Sequence, residues 1–296
     1  MTPQIERHFS FSTAKFRILA SITNIDFTHM KDLTIAIVQT HLHWEQISAN
    51  LAMLDQQIDA IQGQADIIAL PETFSTGFSM NTSLAEPMNG SAVGWMRQKA
   101  AQRGCVVTGS LILYEGEGAD RLYYNRLIWM RPNGSYESYD KRHLFSLSDE
   151  PKTYTRGTER LIVSHEGWKI CPMICYDLRF PVWSRNSVDE HRQADYDVLL
   201  YVANWPERRA QAWKSLLPAR AVENLSYVIG VNRVGPDNEG INCLGESIAL
   251  DPLGNILYQA PQQSEDVALF TLSYEELVKN RRLYPFLRDG DKFELK

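Results

Sequence analysis

The stretch Pro172-Met173-Ile174-Cys175-Tyr176-Asp177-Leu178-Arg179-Phe180-Pro181 runs from an apolar segment into a polar, arginine-containing turn, with a cysteine at the junction. Upstream of it, Leu161-Ile162-Val163 and Trp168-Lys169-Ile170 read as two strands joined by a turn at Glu166-Gly167. A thiol where a buried strand ends can reach solvent while its neighbours stay packed. That placement suits a nucleophile, because the reactive thiolate needs access and polar company. Taken alone, Cys175 reads equally as a buried core cysteine, the usual fate of a free thiol.

Two more junctions of this kind precede it. Asp66-Ile67-Ile68-Ala69-Leu70-Pro71-Glu72-Thr73-Phe74 is a short apolar strand that delivers Glu72 just past its end. Tyr139-Asp140-Lys141-Arg142-His143-Leu144-Phe145 places Lys141 after a strand at Tyr123–Met130 and a turn at Pro132-Asn133-Gly134. An isolated glutamate or lysine is by default a solvated surface group. Here an acid, an ammonium and a thiol each lie just beyond an apolar run, and such convergent roles mark a site. In these three motifs the chain resembles the nitrilase superfamily of carbon–nitrogen hydrolases, whose triad is Glu, Lys, Cys in that order. The likeness spans about residues 32 to 285.

The resemblance implies an α/β fold, a four-layer α-β-β-α sandwich of two face-packed sheets with outer helices, in a chain that commonly dimerises. It implies that Cys175 attacks an amide carbon, Glu72 moves the protons, and Lys141 with the backbone N–H of Tyr176 holds the oxyanion. A second glutamate often completes the family's site; Glu150 is the candidate here, with Asp149 adjacent. Leu70 to Phe78 and Cys175 to Phe180 look like the omega-amidase branch, which hydrolyses the terminal amide of 2-oxoglutaramate and 2-oxosuccinamate. True nitrilases typically carry Cys-Trp-Glu, whereas this chain has Cys175-Tyr176-Asp177. Arg179 is a plausible fork for the substrate's far carboxylate; its structural alternative is an ion pair with Asp177 or in the neighbourhood of Glu72. Phe74, Phe78, Tyr154 and Trp205 can wall an apolar slot, and core packing accounts for each of them as well. A related amidase acting on deaminated glutathione or an N-carbamoyl amino acid, or a silent dimeric interaction module, are the alternatives. A silent member would be expected to lack one of the three triad residues. Arg220 and Glu223 are read as scaffold.

With 296 residues and 44% hydrophobic content, the chain can bury a sizeable core. A net charge of −6 and no dense basic run speak against a nucleic-acid partner. No apolar run approaches the ~20 residues that cross a bilayer. Cys171 and Cys175 do not have C-x-x-C spacing, and no second Cys or His pair completes a metal cage with them, Cys105 or Cys243. No metal or organic cofactor is expected, and the thiols read as reduced and cytoplasmic.

Residues 1–30 read as an extension outside the fold, with the working protein starting at Met30 and a single domain over 31–296. A transit-like segment is the other possibility, because Glu6 and Asp26 are its only acidic groups. Beyond it, strands are expected at 33–39, 67–70, 106–114, 122–130, 197–203, 227–234, 246–250 and 267–272. Helices are expected at about 44–61, 91–102, 182–192 and 207–225, the last kinked by Pro218.

Overall fold

The computed structural model describes residues 30–294, and the expectations for residues 1–29 fall outside them. In chain order the strands are β1 (Leu33–Gln39), β2 (Ile67–Ala69), β3 (Val106–Glu115), β4 (Leu122–Met130), β5 (Tyr136–Asp140), β6 (Val163–His165) and β7 (Trp168–Ile174). They continue as β8 (Val198–Ala203), β9 (Tyr227–Asn232), β10 (Val234–Pro236), β11 (Asn242–Leu244), β12 (Ile248–Leu250), β13 (Ile256–Gln259) and β14 (Asp266–Leu272). The helices are α1 (Ile47–Asp59), α2 (Ser91–Arg103), α3 (Glu150–Thr153), α4 (Pro181–Ser184), α5 (Ala210–Asn224) and α6 (Tyr274–Leu283).

Two six-stranded sheets form, ordered β14-β1-β2-β3-β4-β5 and β13-β12-β9-β8-β7-β6. They follow one plan. Each has three parallel central strands, β1-β2-β3 or β7-β8-β9. Each adds one antiparallel strand on one side and two on the other. The sheets meet through β1 against β9 and β4 against β7. Helices cover the outer faces, giving the α-β-β-α sandwich.

The alternation of β1 shows why. Ala36 and Val38 join Leu54 and Ile58 of α1 and Val93 and Met96 of α2 in one core. Ile35 and Ile37, on the opposite face, are equally buried, as a strand covered on both sides requires. The second core sets Cys171, Met173, Leu199 and Tyr201 against Trp213 and Leu217 of α5.

Two glycines shape the approach to the sheet ends. A Cβ on Gly109 of β3 would lie 2.8 Å from Phe74 and 2.9 Å from Leu70, so only glycine lets the Glu72 segment settle on β3. A Cβ on Gly157 would strike the Asp140 carbonyl. Its N–H instead donates to the Lys141 carbonyl at 3.0 Å.

The helix expected over 182–192 ends after one turn, at Ser184. Asn186 donates its side-chain amide to the carbonyls of Tyr196 and Asn224, both at 3.0 Å. Its own N–H donates to the Asn224 side chain at 2.9 Å, an alternative to helical pairing. The strand expected from Glu246 starts at Ile248 because Glu246 has φ +57°. The long helix begins with a 3-10 turn at Glu207–Arg209, and α5 carries Pro218 inside it. No described helix is long and apolar enough to cross a membrane.

Candidate active site

Four chain segments leave the sheets beside one another. The segment after β2 carries Glu72, β5 leads into Lys141, β7 ends at Cys175 and β8 runs into Asn204. All four residues line one cavity of about 840 Å³. Thr73 and Cys175 take left-handed φ values of +44° and +43°, conformations that cost non-glycine residues about 1–3 kcal/mol and need surrounding support.

For Thr73 the support is Ser110, whose hydroxyl accepts the Thr73 N–H at 2.8 Å and whose carbonyl accepts from Phe74 N–H at 3.2 Å. For Cys175 it is the buried Asp177. Its carboxylate accepts from Ile174 N–H at 3.1 Å, Tyr139 hydroxyl at 2.7 Å and His143 N–H at 3.0 Å, with His143 Nδ1 at 2.8 Å. Tyr139 and His143 flank Lys141, so Asp177 ties the cysteine's turn to the lysine's. Asp177 is therefore not the partner of Arg179. From α5, Arg220 donates to the Leu178 carbonyl at 2.7 Å and steadies the same turn.

At the centre, Lys141 Nζ donates to Glu72 Oε1 at 2.8 Å and to both oxygens of Glu150 at 2.9 and 3.0 Å. All three side chains are buried. Asn125 of β4 donates to both carboxylates, at 2.8 Å to Glu72 and 3.2 Å to Glu150. Asn204 N–H donates to Glu72 Oε2 at 2.8 Å, and Phe145 N–H to Glu150 Oε2 at 2.5 Å. Every polar neighbour of the two carboxylates donates, so both serve as hydrogen-bond acceptors. Burial disfavours the Lys141 charge, but Glu150 and Glu72 outweigh it and keep the ammonium protonated well above its ordinary range. Burial raises Glu150, with Lys141 opposing.

The Cys175 thiol is pushed well up, first by burial and then by the Glu72 carboxylate. The resting sulfur is therefore a neutral thiol facing a base, not a free thiolate. Cys105, Cys171 and Cys243 are buried, and burial raises them to about 11, about 12 and about 11.

Of the residues picked from sequence, Glu72, Lys141, Glu150 and Cys175 come together. Asp149 points outward to Lys152. Tyr176 is the second residue of the 3-10 turn Cys175–Arg179, where a first-turn N–H has no intrahelical acceptor. Arg179, Phe78 and Trp205 line the cavity. Phe74 does not wall a slot: it is fully buried and packs on Trp95 in the first core. Nor does Tyr154, which is buried behind the cavity with its hydroxyl donating to the Ser79 carbonyl. Asn125, Asp177, Asn204, Phe145 and Arg209 were not singled out from sequence. A lone amide inside the apolar run of β4, and one at the end of β8, were the available signals. Among the described residues no three His, Cys, Asp or Glu side chains gather as a metal-binding group.

The profile of the Carbon-nitrogen hydrolase family matches residues 34–282. The chain is 43% identical over 267 residues to the omega-amidase YafV of Yersinia enterocolitica, covering 90% of this chain and 100% of that protein. It is 31% identical to the 2-oxoglutaramate amidase of Bacillus subtilis, over 86% of this chain and 96% of that one. Its structure is similar to that of XC1258 from Xanthomonas campestris, a CN-hydrolase superfamily protein described with an arsenic adduct in its active site. The TM-score is 0.86 at 42% identity, covering 90% of this chain and 100% of that one.

Proposed function

The chain belongs to the carbon–nitrogen hydrolase family and is an amide-hydrolysing enzyme; on that premise we propose that it is an omega-amidase, cleaving the terminal amide of a 2-oxo dicarboxylic acid monoamide such as 2-oxoglutaramate or 2-oxosuccinamate. The observation that carries this is the buried contact of Lys141 with Glu72 and Glu150 beside the Cys175 thiol. The likeness to an omega-amidase and a 2-oxoglutaramate amidase supports the substrate class.

Cys175 Sγ attacks the amide carbon while Glu72 takes the thiol proton. Lys141 and the Tyr176 N–H stabilise the tetrahedral oxyanion. Glu72 gives its proton to the amide nitrogen, the C–N bond breaks and ammonia leaves an acyl-thioester. Water, deprotonated by Glu72, then attacks the thioester and releases the acid and the thiol. Glu150 holds Lys141 between two carboxylates, so the ammonium stays charged and aimed. Arg179 receives the far carboxylate, and Phe78 and Trp205 wall the chain between. We further propose that the enzyme works as a homodimer.

A cavity of about 840 Å³ exceeds what a five-carbon acid fills, and this favours a second reading in which the leaving amine is larger, as in deaminated glutathione. Acid formation from 2-oxoglutaramate, glutamine, succinamate and deaminated glutathione, side by side, decides; the first three also release ammonia, the last its dipeptide amine. The omega-amidase reading expects the highest kcat/KM for 2-oxoglutaramate, and a loss of at least about 10³-fold in Cys175→Ala. A preference for deaminated glutathione overturns the substrate, and an undiminished rate in Cys175→Ala overturns the mechanism.

A further inference from the structure

Most arginines here are already engaged. Arg126, Arg131, Arg160, Arg220 and Arg281 pair with carboxylates. Arg233, though it lines the cavity, spends its guanidinium on the carbonyls of Val234 and Pro236, at 3.1 and 3.2 Å. Arg179, Arg208 and Arg209 differ. All three line the cavity that holds Cys175, and among the described residues none has a carboxylate partner; Arg179 and Arg209 are the two of them that stand on aromatic rings.

Each lies over an aromatic face, Arg179 at 5.1 Å from the Trp205 ring centre and Arg209 at 4.6 Å from that of Phe145. Such stacking uses the flat face of the guanidinium and leaves its in-plane N–H fork free for a planar anion.

The shelf beneath them is fixed. Trp205 donates its indole N–H to the Arg209 carbonyl at 2.8 Å and its backbone N–H to Asn232 Oδ1 at 2.8 Å. Phe145 is tied by its N–H to Glu150 Oε2 at 2.5 Å and meets Tyr176 edge-on at 5.1 Å. Arg209 thus stands on a ring tied to Glu150, and Arg179 on one fixed by Asn232. Burial, then the like charges of Arg208 and Arg179, disfavour the Arg209 cation. An incoming anion relieves that repulsion.

We propose that Arg209, with Arg179, forms a two-guanidinium receptor for the substrate's far carboxylate and sets the enzyme's preference for anionic over neutral amides. This rests on the amidase function above and adds a specificity-determining residue to it.

The test is steady-state kinetics of the full chain as wild type, Arg209→Met, Arg209→Lys and Arg179→Met. Each is assayed on 2-oxoglutaramate, on succinamate and on the neutral amide butyramide, with thermal melting as a folding control. Loss of one charged hydrogen-bond pair predicts a KM for the anionic amides higher by roughly 10- to 100-fold in Arg209→Met, with the smaller change in kcat. The ratio of kcat/KM between anionic and neutral amides falls accordingly, and Arg209→Lys recovers part of it. An equal loss on anionic and neutral amides reduces Arg209 to a prop for Phe145 and overturns the proposal, as does a wild type that does not prefer anionic amides. If succinamate is turned over and 2-oxoglutaramate is not, the substrate reading fails. The same ratio measured on succinamate then still judges Arg209.

Discussion

At the residue, the central fact is that Lys141 sits between two carboxylates while the neighbouring thiol is kept neutral. Glu72 accepts from Lys141, Asn125 and Asn204 and still faces the thiol, as its proposed role as base requires. Glu150 contacts the Lys141 ammonium through both oxygens, and its proposed role runs through that lysine. Replacing Glu150 with glutamine leaves the shape but removes one of the two charges on the ammonium. In Glu150→Gln we expect kcat to fall by about 10²-fold with KM little changed, the signature of a weakened oxyanion site, measured as initial rates of ammonia release. A raised KM at full kcat would place Glu150 in substrate binding instead. Glu72, Lys141 and Cys175 were legible because each stands where an apolar run ends. Asn125 and Asn204 were not, since a single amide in or beside a strand declares nothing until its partners are known. Arg209 was hidden in Glu207-Arg208-Arg209, which reads as a solvated charge cluster at a helix start.

At the element, the site depends on how closely the Glu72 segment lies on β3. Gly109→Val adds side-chain atoms where Phe74 and Leu70 already stand within 3 Å of a single Cβ. Overpacking of that kind costs about 1–3 kcal/mol, and here it also pushes Glu72 off Lys141. The expected outcome is a lower melting temperature together with a loss of activity larger than partial unfolding explains, seen by comparing thermal melts with rates at low temperature. A variant with wild-type kcat would show that the Glu72 turn is positioned elsewhere. Elements with strong hydrophobic periods, such as β1, α1 and β3, were readable within a few residues. The helix expected after Cys175 was not real, because Arg185 to Gln193 offers Val188 as its one clear apolar side chain and Asn186 takes up backbone groups. Helix α6 went unread although Ser273 and Glu276 have capping-box spacing. It buries only Leu277 and Asn280, too thin a stripe to stand out.

Across the whole molecule, the buried groups share one response to alkali. Cys105, Cys171 and Cys243 rise from the ordinary 9.0 to about 11, about 12 and about 11 through burial, and Cys175 and Lys141 also rise. Below the ordinary values both folded and unfolded chains hold these protons, and the stabilisation is complete. As pH climbs past about 9 the unfolded chain gives up its thiol protons while the folded one retains them, so unfolding becomes more favourable. The melting temperature is expected to fall as pH rises from about 9 towards about 11, and a flat profile would contradict it. The doubled sheet plan brings the ends of β2, β5, β7 and β8 to one cavity, and long-range pairing of this kind is not visible in any one segment. What the assembled site is held to do is form a thioester on one sulfur. The direct measurement is mass spectrometry of the protein quenched during turnover of 2-oxoglutaramate. The account predicts an acyl adduct on the peptide containing Cys175, absent in Cys175→Ala. Turnover with no adduct at Cys175, or with the adduct on Cys243, would contradict it.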